Sequence, residues 1–169
     1  MDFRTELVGQ IPYLRRFGRA LTGDTALADD LVQDCVERAL NKSHLYDASR
    51  PLRAWLYTML RNIHVSGLRR QTRARIVKTI DELQAGEDRI EAGQEHHVAL
   101  SQVSGALDRM PDSQREVIVL VVLEGMSYRD VAEITGVPVG TVMSRLSRAR
   151  TLLRQLLDEH PQVHLRRVK

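Results

Sequence analysis

The sequence predicts an all-α fold of two small helical domains joined by a flexible linker. Aliphatic residues recur at spacings of three and four along most of the chain, which is the period of an amphipathic helix. Aromatic residues make up only 4% of the 169 positions, fewer than a β sandwich needs. Residues 79–94 hold five acidic residues and two glycines but few large apolar ones, so they cannot contribute much to a core.

Three helices are expected in residues 1–78. The first carries its apolar side chains at positions 11, 14, 17 and 21 and stops at Gly23. Asp24 can cap the second helix, and Pro51 suits the first turn of the third. Cys35, the only cysteine, falls on the apolar side of the second helix and is expected in the core rather than as a reactive thiol. Trp55 is likewise expected in the core of the third helix, rather than stacked on a base.

Residues 95–169 end in a pattern typical of a helix-turn-helix. Asp112 or Ser113 is expected to cap a helix that runs to Gly125, with Leu123 on its apolar side. Ser127, followed by an acid three residues on, resembles a capping box that opens a short helix ending at Gly136. The last helix has one aliphatic side and one side of hydroxyls and guanidiniums without a carboxylate, which are groups that can contact bases and phosphates.

Charge is segregated along the chain, although the net charge is only +3. Residues 24–37 carry five acidic residues and no basic one. Residues 61–78 carry six lysines and arginines without an acid, and residues 139–157 carry four arginines without an acid. Two basic segments predict two contacts with a polyanion such as DNA.

The residues also exclude several classes of protein. We expect no metal or other cofactor and no enzymatic activity, because no nucleophile–base pair, phosphate loop or metal-ligand spacing occurs. No apolar run is long enough to span a bilayer, and the first ten residues are unlike a secretory signal, so a cytoplasmic location is expected.

Four motifs are informative together: ADDLVQDCVERAL at 28–40, RAWLYTMLRNIHVSGLRRQ at 53–71, and PDSQREV at 111–117 followed by GTVMSRLSRAR at 140–150. They resemble a bacterial sigma factor of the extracytoplasmic-function (ECF) group of the sigma-70 family. The first two are similar to motifs of sigma domain 2, and the last two are similar to sigma domain 4. The resemblance places domain 2 at 1–78, a linker at 79–94 and domain 4 at 95–169. It implies promoter recognition for RNA polymerase, and the first helices resemble the general stress-response branch.

The resemblance also implies roles for particular residues. Binding to the clamp helices of the polymerase core falls to Asp30, Leu31, Gln33 and Asp34, with a further contact to the polymerase flap. Recognition of the −10 element falls to Asn62, Ser66, Arg69, Arg70 and Arg73. Recognition of the −35 element falls to Thr141, Ser144, Arg145 and Arg148. Ser66 and Met143 depart from the usual residues of the family. An anti-sigma factor is implied as a further partner.

Two other functions stay open. A stand-alone helix-turn-helix regulator would need a dimerisation or ligand-sensing element, and the first domain shows neither a heptad repeat nor a pocket in its sequence. A sigma mimic that sequesters an anti-sigma factor would have little need of basic faces free of acids. Both alternatives predict that the chain does not initiate transcription.

Overall fold

The computed structural model describes residues 2–79 and 98–159, and within these ranges the chain is helical with no β-strand. A 3₁₀ turn at Ser43–Leu45 precedes the third helix, and a π-helical stretch at Val119–Leu123 follows the fifth. None of the described helices is long and apolar enough to cross a membrane. The α-helices are α1 Phe3–Thr22, α2 Thr25–Asn41, α3 Leu52–Thr79, α4 Val98–Asp108, α5 Asp112–Ile118, α6 Tyr128–Thr135 and α7 Val139–Asp158.

Helices α1, α2 and α3 pack around an aliphatic core, as the sequence predicts. Leu14, Phe17 and Leu60 are fully buried there, and the ring of Phe17 lies 4.8 Å from that of Tyr57. Cys35 is fully buried, and burial raises the pKa of its thiol to about 12. The expectation of an unreactive core cysteine is therefore confirmed.

The turn between α1 and α2 follows from two adjacent residues. Gly23 adopts a left-handed φ of 70°, and its N–H donates to the Arg19 carbonyl at 2.8 Å, which ends α1. Asp24 then accepts a hydrogen bond from the Leu27 N–H at 2.8 Å, which caps α2. Both the stop and the cap agree with the sequence prediction.

The helix-turn-helix is formed by α6 and α7. The Ser127 hydroxyl accepts from the Asp130 N–H at 3.1 Å, so the predicted cap of α6 is present. Gly136 ends α6 with a φ of 69°, a conformation that favours glycine. Val142, in the first turn of α7, is fully buried. These contacts fix how α7 is presented to solvent.

Two expectations for the stretch from Asp112 to Leu123 are wrong. Pro111, not Asp112 or Ser113, precedes the first turn of α5, and it makes no side-chain cap. The predicted single helix changes to a π-helical stretch after Ile118, where the Glu124 N–H donates to the carbonyl of Val119, five residues earlier. A π turn rotates the residues that follow it around the axis, and Leu123 is 51% exposed rather than in the core.

The two domains pack against each other in this conformation, although nothing in the sequence pattern predicted an interface between them. Glu124, at the end of the π-helical stretch, has a completely buried side chain. Its carboxylate accepts hydrogen bonds from Arg16 Nε at 2.7 Å, from Arg16 Nη2 at 3.1 Å and from the Tyr57 hydroxyl at 2.6 Å. One side chain of the second domain thus joins α1 and α3 of the first.

Further polar contacts join the two domains. Arg115 Nε donates to the Ala20 carbonyl at the end of α1 at 2.6 Å. Arg61 of α3 pairs with the mostly buried Glu116 of α5. Burial raises the pKa of Glu116, whereas the positive charges of Arg61 and Arg145 oppose that rise. Buried apolar side chains of both domains form one continuous cluster. The predicted linker, apart from Thr79, lies outside the described residues, and its flexibility stays a prediction.

Candidate polymerase and nucleic-acid interfaces

An acidic surface lies on the solvent side of α2. Asp30, Gln33 and Asp34 are exposed, as an interface with a protein of opposite charge requires. Leu31 differs from them because it is only 8% exposed and belongs to the core. It can hold α2 in place but offers little surface to a partner. On α2 the polar and charged candidates are therefore exposed, whereas the apolar candidate is buried.

A second surface follows α3 towards its C-terminal half. Asn62, Ser66, Arg69, Arg70 and Arg73 all lie on this helix, and all are exposed. At 1.5 Å per residue, the stretch from Asn62 to Arg73 is about 16 Å long. The structure thus arranges the candidates for −10 recognition along one helix, with the amide and hydroxyl nearer the bundle and the guanidiniums beyond them.

Arg61 shows why the basic stretch of α3 is not uniform. It precedes Asn62 directly, but its guanidinium pairs with Glu116 and its side chain is only 22% exposed. By contrast, Arg69 is exposed and forms no ion pair with any described side chain. Arg61 thus contributes to the contact between the two domains, whereas Arg69 is available to bind a polyanion.

A pocket of about 330 Å³ lies between α2 and α3, and Asn62 and Ser66 line it. Trp55 lines the pocket as well and is half-buried, with its ring 5.5 Å from that of Tyr46 and 6.3 Å from that of Phe3. Trp55 packs against the buried core but stays partly exposed at the pocket wall, so its predicted place in the core is confirmed only in part. The pocket further includes Arg38 and Lys42 of α2, which sequence reasoning did not assign to a site.

The third surface is the solvent side of α7. Ser144 and Arg148 are exposed, whereas Thr141 and Arg145 are half-buried. The Ser144 hydroxyl donates to the Thr141 carbonyl at 3.1 Å, which leaves its oxygen free to accept. No carboxylate lies among these four candidates, so the face offers mainly donors and positive charge. Such a face suits the acceptor-rich edges and phosphates of the DNA major groove.

Met143 belongs to a different surface of α7. It is 53% exposed and lines a groove with Tyr128 of α6 and Arg150 and Arg154 of α7. A thioether contributes apolar contact rather than a strong hydrogen bond. Met143 therefore offers apolar area rather than charge beside the −35 candidates.

Comparisons with known proteins identify the family to which these surfaces belong. The family model described as the Sigma2 domain of PhyR matches residues 7–61, and that of sigma-70 region 4 matches residues 100–153. The ECF RNA polymerase sigma factor EcfG of Rhodopseudomonas palustris is 40% identical over 156 residues, which cover 92% of this chain and 85% of that protein. The chain belongs to the ECF group of the sigma-70 family. As a sigma factor, it directs RNA polymerase to promoters.

Solved structures of ECF sigma factors share the fold. The sigma factor RpoE of Bartonella quintana, in a co-crystal with the anti-sigma factor NepR, matches with a TM-score of 0.78 and 38% identity over 93% of this chain and 97% of that one. The sigma factor CnrH, in complex with the cytosolic domain of CnrY, matches with a TM-score of 0.67 and 28% identity over 94% and 88% of the two chains. The predicted all-α architecture of the ECF family is thereby confirmed.

Proposed function

We propose that the three surfaces divide the work of promoter recognition. The acidic side of α2 binds the polymerase core, the solvent side of α3 binds the unpaired −10 strand, and the solvent side of α7 binds the −35 duplex. The observation that carries this proposal is the exposed face of α7, which combines Ser144 and Arg148 with no carboxylate in a capped helix-turn-helix. Such a face fits DNA and is unfavourable for a basic protein partner.

The proposal assigns no chemistry to the chain itself. The polymerase core would supply catalysis, and the sigma factor would supply binding and orientation. The region 4 match at residues 100–153 includes all four −35 candidates. The Sigma2 match at residues 7–61 includes the acidic candidates of α2 but ends one residue before Asn62. The −10 assignments therefore depend on the exposure and placement of the side chains on α3.

We further propose that an anti-sigma factor controls this chain. Two relatives, RpoE of Bartonella quintana and CnrH, were solved with an anti-sigma factor and with the cytosolic domain of CnrY, respectively. Similarity to EcfG and to the NepR-bound RpoE favours a partner of the NepR kind and a role in a stress response. Adding such a protein should reduce transcription in a concentration-dependent way if the proposal holds.

A sigma mimic is the second candidate, because one matching family model is named for PhyR. The anti-anti-sigma factor PhyR of Bartonella quintana shares the fold with a TM-score of 0.56 but is only 17% identical. The sigma factors RpoE and EcfG are 38% and 40% identical to this chain. A mimic needs no surface for DNA, whereas this chain keeps exposed arginines on both α3 and α7. These observations favour the sigma factor.

Run-off transcription with purified core polymerase and a promoter library tests the proposal. The chain should cause selective initiation, and the selected promoters should share two sequence elements, one for each DNA-binding surface. A mimic would bind the anti-sigma factor without causing initiation. A stand-alone regulator would bind duplex DNA equally well with and without the core enzyme.

A further inference from the structure

The carboxylate of Glu116 interacts with a cation from each of the two basic segments. In the packed form, in which the two domains are in contact, it pairs with Arg61 of α3, and its side chain is only 7% exposed. Helix α5, which carries Glu116, also packs against α7 of its own domain. Burial raises the pKa of Glu116, and the positive charge of Arg145 on α7 opposes that rise as Arg61 does. One anion thus interacts with both proposed DNA-binding helices.

Arg145 has no ion-pair partner of its own among the side chains that the structure describes. It is half-buried, and none of the ion pairs in residues 2–79 and 98–159 includes it. A long side chain that is not held in place loses rotamer entropy when it binds DNA. A guanidinium has five N–H donors, so one edge can donate to a carboxylate while another contacts a phosphate or a base. A carboxylate beside Arg145 can therefore orient it and leave it available to DNA.

Separation of the two domains changes which cation Glu116 can use. Arg61 leaves with the first domain, and a largely buried carboxylate without a counter-ion is strongly unfavourable. Asp112, four residues earlier on α5, adds a second negative charge that raises the pKa of Glu116 further. Arg145 belongs to the same domain as Glu116 and does not leave with the first. After separation, the local electrostatics therefore favour a pair between Glu116 and Arg145.

We propose that Glu116 is a positioning residue for −35 recognition: when the domains separate, its carboxylate exchanges Arg61 for Arg145 and holds the Arg145 guanidinium at the DNA-binding face of α7. The inference rests on the proposed binding of the −35 duplex by α7 and adds α5 to that site. In the packed form, Arg61 competes for the carboxylate and leaves Arg145 unoriented. Contact between the domains thus weakens −35 recognition through one shared carboxylate.

The two partners of the Arg61–Glu116 pair should have opposite effects on −35 binding. The full chain is titrated onto a duplex that carries the −35 element of a promoter selected in the run-off experiment. Arg61→Gln frees Glu116 for Arg145 and should lower the Kd about threefold. Glu116→Gln breaks the same contact between the domains but also removes the carboxylate that orients Arg145, so it should raise the Kd about tenfold. Tighter binding by both variants would mean that Glu116 only holds the domains together, which overturns the proposal.

Glu133 offers a matched control for charge and for the contact between the domains. It lies on α6 and pairs with Arg50 of the first domain. Glu133→Gln therefore also removes one negative charge from the second domain and one ion pair from the interface. It should not raise the Kd for the −35 duplex. An increase as large as that of Glu116→Gln would contradict a specific role of Glu116.

A double-mutant cycle shows whether Glu116 acts through Arg145. In an Arg145→Ala background, Glu116→Gln should change the Kd by less than about twofold, because the side chain that it orients is gone. A tenfold increase in both backgrounds would mean that Glu116 stabilises the domain in general, and the proposed positioning role would be wrong.

Nuclear magnetic resonance of the arginine side chains does not depend on a folded Glu116 variant. The Nε–H signal of Arg145, assigned by its loss in Arg145→Ala, should exchange more slowly with water in Arg61→Gln than in wild type, because it gains a carboxylate partner. Unchanged exchange overturns the proposed change of partner. If the wild-type chain does not distinguish the −35 duplex from a scrambled one, the proposed function fails; if it does and Arg61→Gln changes neither Kd nor exchange, this inference alone fails.

Discussion

Glutamine at position 124 should weaken the contact between the two domains while preserving the shape of the side chain. The Glu124 carboxylate is fully buried and accepts three hydrogen bonds, two from Arg16 and one from Tyr57. Removing one partner of a buried ion pair costs about 3–5 kcal/mol, but the Arg16 side chain is 52% exposed and can be rehydrated. We therefore expect Glu124→Gln to lower the free energy of unfolding by about 2–4 kcal/mol.

Two further variants calibrate this value. Tyr57→Phe removes one hydrogen bond to a buried carboxylate and should cost about 2 kcal/mol. Asp29→Asn breaks the exposed ion pair with Arg15, whose atoms lie 3.0 Å apart, and should cost less than about 1 kcal/mol. Urea denaturation followed by circular dichroism measures all three changes under the same conditions.

The shape of the molecule provides an independent measurement. If Glu124 holds the domains together, Glu124→Gln should increase the radius of gyration measured by small-angle scattering, whereas Asp29→Asn should not. The reasoning is refuted if Glu124→Gln is no more destabilising than Asp29→Asn and the two variants scatter alike. Such a result would mean that the carboxylate is solvated in solution and that the interface does not persist.

Other predictions concern the proposed surfaces and one titrating group. Asp30→Ala with Gln33→Ala should weaken core binding about thirtyfold, equivalent to roughly 2 kcal/mol; unchanged affinity in a folded variant would contradict the assignment. Arg148→Ala should weaken −35 duplex binding by about 1–3 kcal/mol and spare strand opening, whereas Asn62→Ala should reduce permanganate reactivity of unpaired thymines and spare duplex binding; equal defects in both assays would refute the division. Because burial lowers the pKa of His64, stability should fall as pH drops below the ordinary value of about 6.5, and the Tm of His64→Gln should fall less steeply there.

Local features of this chain follow directly from its sequence. The caps at Asp24 and Ser127 and the turn at Gly136 depend on residues within three or four positions, so the pattern alone predicts them. Cys35 and Trp55 were likewise expected in the core because the helical period puts them there. The exposed candidates on α3 and α7 follow from the same period.

Features that depend on distant partners could not be predicted in this way. Glu124 follows an aliphatic run and would ordinarily be expected in solvent, yet its partner Arg16 is 108 positions away. Arg61 and Arg69 look equivalent in sequence, and only the contact with Glu116 distinguishes them. The π-helical turn after Ile118 likewise has no marker in the aliphatic residues that form it. Pairs between distant residues and the π-helical turn can therefore be recognised only in the folded structure.

The packed arrangement of the two domains has a consequence for the distance that the chain can span. A compact chain of this length is about 40 Å across. By their names, the −10 and −35 elements are centred about 25 positions apart, which is about 85 Å of duplex at 3.4 Å per base pair. If α3 and α7 bind these elements as proposed, the contacts of Glu124, Glu116 and Arg115 have to break whenever both elements are bound at once. Every 1.4 kcal/mol by which they favour the packed form lowers the observed promoter affinity about tenfold, whereas a partner that binds only the packed form keeps nearly its full affinity.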